Sequence, residues 1–170
     1  HLRATEADAV FILGDLFEVW VGDDARTPGS FEQRAADVLQ EAASLRPVSF
    51  MAGNRDFLVG AAMLRDCGVI ALPDPTLLDA WGHRVLLTHG DELGLADTAY
   101  QAYRAEVRTD AWRHAVLARP LADRQQLARQ WRVHHTQTSA VGLVAHRRHV
   151  LQLPDEDSCE WRGGITSEWQ

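Results

Sequence analysis

The feature that most constrains the fold is an arrangement that occurs three times, in which a short apolar run ends in glycine and polar side chains. AVFIL precedes GD at Asp15, PVSFMA precedes GNRD at Asn54, and RVLLT precedes HGD at His89. Short apolar runs with β-branched and aromatic residues, closed by glycine, are typical of buried strands. We therefore predict three buried strands, each with a polar tip at its C-terminal end.

The segment between the first two strands, SFEQRAADVLQEAASL, has the spacing of an amphipathic helix. Ser30 and Gln33 form a predicted capping box at its start. Strand, helix and strand together make a β-α-β unit with parallel strands. Ligands of such α/β sheets collect beyond the C-terminal ends of the strands, so we expect the polar tips to converge. The apolar positions of the predicted helix are Phe31, Ala35, Val38, Leu39, Ala42 and Leu45.

The chain after GNRDFLVG predicts further elements of an α/β fold. A short helix, AAMLRDC, ends at Gly68, and Trp81-Gly82-His83 predicts a hairpin turn that makes the sheet mixed. The segment from Thr98 to about Arg132 predicts two or three helices with a break at Pro120.

Composition restricts the class of protein. The 170 residues, 46% of them hydrophobic, suit one globular domain with a core. No apolar run reaches the length of about 18 residues that a membrane span needs, so we expect a cytoplasmic protein. The net charge of −7 argues against a general nucleic-acid binder. Cys67 and Cys159 are too few for a disulfide framework or a structural zinc site.

The three polar tips together predict a metal site. Asp15 offers carboxylate oxygens, Asn54 an amide oxygen and His89 an imidazole nitrogen, and such mixed donors suit Mn²⁺, Fe²⁺, Zn²⁺ or Mg²⁺. A carboxylate can bridge two ions, and two-metal sites hydrolyse phosphoesters and pyrophosphates. Each residue alone also has an ordinary explanation, a turn for the aspartate and a core hydrogen bond for the histidine.

The stretches GDLFEVWVGDD, GNRDFLVG and HGDELGLADTAYQAYR resemble the calcineurin-like metallophosphoesterases. Within that superfamily they are most similar to the bacterial branch that acts on UDP-2,3-diacylglucosamine in lipid A synthesis. The resemblance covers roughly residues 1 to 131, with several motifs in the same order and spacing.

The resemblance implies roles for five residues. Asp15 would bridge two metal ions, and Asn54 and His89 would bind the second ion, so these three form the expected catalytic and metal-binding set. Asn54, Arg55 and Asp97 would bind substrate, with Arg55 on a phosphate and Asp97 on the UDP portion. The implied cofactor is Mn, two ions in the intact family and fewer here.

Several of these positions keep an alternative. Arg55 can instead form a surface ion pair with Asp56, and Asp97 can be a helix N-cap. Asp91 is expected to orient the His89 region as an outer partner of the site. For three other acidic residues we expect at most a loop-shaping role, and a solvated acidic loop is the simpler account: Glu18, Asp23 and Asp24.

The implied fold is a layered sandwich of mixed sheets flanked by helices, with a helical cap insertion. Residues 1–97 would be a partial metallophosphoesterase core, 98–132 the cap, and 133–170 a divergent tail. The cap would offer an apolar groove for acyl chains, although side chains at such spacing also occur in ordinary cores. The candidate groove residues are Tyr100, Tyr103, Trp112, Val116, Leu117, Leu121, Leu127 and Trp131.

The implied reaction cleaves the pyrophosphate bond of UDP-2,3-diacylglucosamine into 2,3-diacylglucosamine 1-phosphate (lipid X) and UMP. The cationic helices would contact the cytoplasmic face of the inner membrane, with no nucleic-acid partner. The family's Asp-x-His and Gly-His-x-His motifs are missing from the sequence. We therefore expect an incomplete gene product with impaired activity, in which His134, His135, His146 and His149 are solvated rather than substitute ligands.

Two other functions fit the same sequence. One is a two-metal phosphoesterase that acts on nucleotides or phosphoproteins and has no acyl groove. The other is a non-catalytic scaffold that keeps the phosphoesterase fold. Mn²⁺ binding would separate the scaffold from both enzymes.

Overall fold

The computed structural model describes residues 5–80 and 82–138, with side chains up to Arg129. The strands in this part of the chain are β1 (Val10–Leu13), β2 (Val48–Met51), β3 (Ile70–Leu72), β4 (Thr76–Ala80) and β5 (His83–Leu87). The helices are α1 (Phe31–Leu45), α2 (Ala61–Cys67), α3 (Thr98–Val107), α4 (Asp110–Leu117) and α5 (Leu121–Thr138). The predicted α/β class is confirmed.

The strands form two separate sheets. β1, β2 and β3 are parallel in that order, with Val10 opposite Val48 and Ser49 opposite Ile70. β4 and β5 form an antiparallel hairpin in a sheet of their own. The hairpin is confirmed, but the expected single mixed sheet is not observed in the described residues, because the hairpin packs against the parallel sheet and does not extend it.

The alternation of side chains along the parallel strands explains this layering. Val48 and Phe50 of β2 point into the main core with Leu39 and Ala42 of α1. Met51 points the other way and packs against Leu72, Leu78 and Leu87. Helices therefore cover one face of the parallel sheet and the hairpin covers the other.

The start of α1 confirms half of the predicted capping box. The Ser30 hydroxyl accepts the backbone N–H of Gln33 at 3.0 Å. The Gln33 amide, however, donates to Asp37 at 2.7 Å, and the Ser30 N–H donates to the Thr27 carbonyl. A local backbone turn thus replaces the reciprocal half of the box.

Three helices lie between residues 98 and 138, within the predicted number. The apolar side chains of α3 and α4 face inward: Val107 and Val116 are buried in the main core, and Tyr103, Trp112 and Leu117 pack against it. Leu121 packs on a smaller cluster with Val21 and Ala128. These contacts support the core explanation for most of the candidate groove residues.

Several predictions fall outside the described part of the chain. They concern Trp81 of the hairpin turn, the side chains of Trp131, His134 and His135, and the segment with His146 and His149. Among the described helices, none combines the length and the apolar character needed to cross a membrane.

Candidate metal centre

The tip of β1 has an unusual backbone. Gly14 has φ of 82° and Asp15, which is not a glycine, has φ of 53°. The left-handed region is uncommon for residues with a Cβ atom, although aspartate tolerates it better than most. Such a conformation at a strand end directs the Asp15 side chain toward the tip of β2, and backbone strain of this kind is concentrated at functional sites.

Two glycines let the tips of β1 and β2 approach closely. A Cβ atom on Gly53 would lie 2.4 Å from both the backbone nitrogen and the Oδ1 atom of Asp15. A Cβ atom on Gly14 would lie 2.3 Å from Nδ1 of His89. The predicted convergence of the three tips is therefore present, and it depends on the absence of side chains at these two positions.

The His89 ring is held from behind by β1. Its Nδ1 atom lies 2.9 Å from the Leu13 carbonyl oxygen, and the side chain is 8% exposed. Because a carbonyl oxygen only accepts, Nδ1–H donates to Leu13, and Nε2 accepts the backbone N–H of Asn54 at 3.4 Å. Nε2 is 3.1 Å from Oδ1 of Asn54 and 3.8 Å from Oδ1 of Asp15.

The Asn54 amide brings the three side chains to one point. Its oxygen lies against the lone pair of His89 Nε2 and faces the Asp15 carboxylate. With the amide turned by half a rotation, its nitrogen would donate to the Asp15 oxygens at 3.0 and 3.1 Å and to His89 Nε2 at 3.1 Å. The amide thus lies among acceptor atoms, and a cation or an amide N–H group can satisfy that arrangement.

This donor set fits a divalent cation. Carboxylate, amide and imidazole ligands match Mn²⁺ and related ions, and the outer hydrogen bond from His89 to Leu13 is the usual way to orient a ligating histidine. Nowhere in the described residues, including this site, do three His, Cys, Asp or Glu side chains lie close enough together to hold a metal ion. A cation bound at this point would therefore need the Asn54 oxygen as a ligand.

Arg55 lies at the edge of this cluster. Its backbone N–H donates to Asp15 Oδ1 at 3.0 Å, and its Nε atom is 3.6 Å from Asp15 Oδ2. Its Nη1 atom forms an ion pair with Glu18, whose side chain is 73% exposed. The guanidinium therefore pairs with Glu18 and Asp15, and the alternative ion pair with Asp56 is wrong.

Asp56 instead lies inside the protein, fully buried. Its Oδ1 atom accepts the N–H of Gly53 at 2.7 Å, and its Oδ2 atom accepts the N–H groups of Leu16 at 2.8 Å and Phe17 at 3.4 Å. Burial raises the pKa of this carboxyl, while the backbone donors act in the opposite direction. Asp56 thus joins the loop after β1 to the loop after β2.

Asp97 is the N-cap of α3. Its side chain accepts the N–H of Tyr100 at 2.9 Å, as the alternative explanation expected. The Asp91 carboxylate binds α3 as well, accepting from the Tyr100 hydroxyl at 2.7 Å and lying 2.9 Å from Arg104 Nε. The backbone N–H of His89 donates to Asp74 at 3.2 Å. Asp74 therefore contacts the His89 backbone and Asp91 contacts α3, and the orienting role of Asp91 stays a prediction.

The acidic loop before α1 is not simply solvated. Asp23 accepts the N–H groups of Gly60 and Met63, both at 2.9 Å, and so caps α2. Asp24 forms an ion pair with Arg124, which is 3% exposed and fastens α5 to the loop. The loop-shaping interpretation holds for both residues.

Sequence reasoning missed Asp56, Asp74, Arg108 and Arg124. The one available signal was the position of Asp56 within GNRD, directly after two residues assigned to the site. The other three lie in segments without a strand tip or a motif.

Comparison with known proteins identifies relatives but no family profile that matches the chain. The chain is 50% identical over 127 residues to UDP-2,3-diacylglucosamine hydrolase of Xanthomonas campestris pv. campestris strain B100, which is 74% of this chain and 51% of the relative. The enzyme of the same name from Chromobacterium violaceum is 48% identical over 124 residues, 73% of this chain and 52% of the relative. The chain spans about half the length of the curated relatives it matches. The resemblance seen in the motifs is therefore confirmed: this chain is homologous to about half of UDP-2,3-diacylglucosamine hydrolase.

Proposed function

We propose that this chain carries part of a metal-dependent pyrophosphatase that hydrolyses UDP-2,3-diacylglucosamine. Water would add across the P–O–P bridge, giving 2,3-diacylglucosamine 1-phosphate on one side and UMP on the other. The relatives' name supplies the substrate. The observation that carries the proposal is the convergence of Asp15, Asn54 and His89 at the tips of three strands.

Electrostatics support a cation at this point. A diphosphate substrate is anionic, and the site already contains the negative charge of Asp15. A second negative charge, that of Glu18, is paired with Arg55. One Arg55 guanidinium offers a bidentate fork to a phosphate, but it is shared with these two carboxylates. A bound Mn²⁺ would supply the remaining positive charge, polarise the phosphoryl oxygen and lower the pKa of a water molecule.

The chain's own residues would then act in three ways. Asp15 and Asn54 would hold the cation through oxygen atoms, and His89 through Nε2, with its tautomer set by Leu13. Arg55 would leave Glu18 and bind a phosphate. The same proposal includes the calcineurin-like sandwich, with domain divisions at residues 97 and 132. It also includes contact of Asp97 with the UDP portion, an acyl groove in the cap and attachment to the inner membrane.

The test uses the purified 170-residue chain. We expect Mn²⁺ to bind in calorimetry and UMP to be released from UDP-2,3-diacylglucosamine at an impaired rate, with both signals lost in Asp15→Asn. Asp8→Asn, a change at an exposed aspartate, is the matched control. Mn²⁺ binding with equal turnover of soluble nucleotide diphosphates would favour a general phosphoesterase, and no Mn²⁺ binding would favour a scaffold.

A further inference from the structure

Helix α3 contacts both of the loops that carry the candidate ligands Asn54 and His89. Arg108, at its C-cap, reaches the loop after β2: its Nη2 atom donates to the Gly53 carbonyl at 3.0 Å. That carbonyl belongs to the peptide that immediately precedes Asn54. A contact from α3 therefore ends one peptide away from a candidate ligand.

The same atom of Arg108 also faces the loop after β5. Nη2 lies 3.4 Å from Asp91 Oδ2, two residues after His89. One guanidinium nitrogen thus joins the Gly53 carbonyl to the Asp91 carboxylate. The Arg108 side chain is 24% exposed and its guanidinium carbon lies 5.6 Å from the centre of the Phe57 ring, which limits its freedom to move.

Asp91 is the point at which α3 and the His89 loop meet. Its side chain is 7% exposed. It accepts the Tyr100 hydroxyl at 2.7 Å and forms an ion pair with Arg104, whose Nε atom lies 2.9 Å away. Tyr100, Arg104 and Arg108 are spaced four residues apart, so they share one face of α3. One face of α3 therefore holds the Asp91 carboxylate, two residues after His89.

Arg104 extends the connection to the backbone of His89. Its Nη2 atom is 3.6 Å from Asp74 Oδ2, and Asp74 Oδ1 accepts the His89 N–H and the Thr88 hydroxyl. The Asp74 side chain is 8% exposed. Three buried atoms of this network, Asp74 Oδ2, Asp91 Oδ1 and Arg104 Nε, lack a hydrogen-bond partner, so Arg104 contributes through its charge.

We propose that Arg108 is a positioning residue: by joining the Gly53 carbonyl to Asp91, it holds the Asn54 and His89 loops at a fixed separation from α3. Docking of α3 and divalent-cation binding at the strand tips then stabilise each other. This inference rests on the metal site of the proposed function. The inference adds that the predicted cap, which begins with α3, contributes to the stability of that metal site.

Mn²⁺ titration of the full chain tests the proposal. We expect Arg108→Ala to raise the dissociation constant for Mn²⁺ about tenfold, which is the lower end of the range for residues that support metal ligands from outside. Arg108→Lys keeps a positive charge beside Asp91 but loses the forked guanidinium group. Its Mn²⁺ affinity should therefore lie between those of Arg108→Ala and the wild type. Arg129→Ala, at an exposed arginine of α5, is the matched control and should bind like the wild type.

Hydrogen exchange gives a readout that a purely structural role would not move. Because coupling between sites is reciprocal, Mn²⁺ should slow amide exchange in α3 of the wild type and slow it much less in Arg108→Ala. Should Arg108→Ala fail to fold, Arg108→Lys decides alone.

The outcomes separate the two proposals. No Mn²⁺ binding by the wild type would overturn the metal site and this inference together. Mn²⁺ binding by the wild type with unchanged affinity in the folded Arg108 variants would overturn this inference only. The same holds if Arg129→Ala loses as much affinity as Arg108→Ala.

Discussion

The Asp56 carboxylate accepts the backbone N–H of Leu16 at 2.8 Å, so a residue that follows β2 holds the loop that follows β1. Its other oxygen accepts the N–H of Gly53 at 2.7 Å. A single buried carboxylate therefore sets the distance between the two loops that carry Asp15 and Asn54. The predictions below begin with this residue.

Asp56→Asn should destabilise the protein by about 1–3 kcal/mol, the cost of leaving a buried polar group unsatisfied. Asparagine has one acceptor atom, and its NH₂ group would face an N–H of the other loop. Urea unfolding measures the loss, with Asp8→Asn as the exposed control. Equal midpoints for Asp56→Asn and the wild type would show that the two loops do not depend on this carboxylate.

Gly53→Ala should disrupt the candidate metal centre, since the new Cβ atom would lie 2.4 Å from the Asp15 nitrogen and Oδ1. We expect at least a tenfold loss of Mn²⁺ affinity, comparable to the loss of an outer partner of the ligands. Gly94→Ala is the matched control, because its Cβ atom would meet nothing closer than 3.7 Å. Calorimetry on the two variants makes the comparison, and similar affinities would contradict the prediction.

Mn²⁺ at a hundred times its dissociation constant should stabilise the folded chain by about 2.7 kcal/mol if it binds only the folded state. A chelator should reverse the effect. His89→Gln, which removes the imidazole nitrogen, should abolish most of the gain. Thermal or urea unfolding with and without Mn²⁺ provides the measurement, and an unchanged gain in His89→Gln would exclude this histidine as a ligand.

Glu18→Gln should strengthen the binding of UMP or inorganic phosphate, because it removes a carboxylate that competes for Arg55. Exposed ion pairs contribute about 0.2–1 kcal/mol, so the expected gain is up to about fivefold. The same change on an Arg55→Ala background should have little effect. A gain that persists without Arg55 would point to general charge rather than this ion pair.

The ion pair between Asp24 and Arg124 should make stability depend on pH. The hydrogen bond from Arg124 lowers the pKa of Asp24 below its ordinary value of 3.8. Because the folded-state pKa is depressed, the stabilisation is fully present above pH 3.8 and is lost as pH falls through the folded-state value. The free energy of unfolding should therefore be lower for Asp24→Asn than for the wild type at pH 7, and the two values should converge in strong acid. A difference that grows in acid would give the opposite sign.

The local elements were largely predictable because their signals are local. The spacing of Leu39 and Ala42 indicated α1, and Gly68 marked the end of α2. The apolar runs before Asp15, Asn54 and His89 indicated strands, and parallel strands bring their ends to one edge. The sequence could therefore anticipate which side chains meet, and which ligand chemistry they offer.

Other features depended on contacts between distant positions. The Leu16 and Asp56 contact spans 40 residues, that of Gly53 and Arg108 spans 55, and that of Asp24 and Arg124 spans 100. A hydrogen bond of this kind leaves no period in the sequence, and each acidic residue looks equally solvated until its partner is known. The capping box failed for a related reason. The Ser30 N–H donates to the Thr27 carbonyl, and the Gln33 amide donates to Asp37 instead.

The sequence by itself determined the α/β class, the three polar strand tips and the identity of the donor atoms. Tertiary structure decided how those tips are held, through buried Asp56, the His89 tautomer and the reach of Arg108 from α3. The physical reason is that hydrophobic periodicity is written locally along the chain. The pairing of buried polar groups is settled only when packing removes water and each group must find a partner.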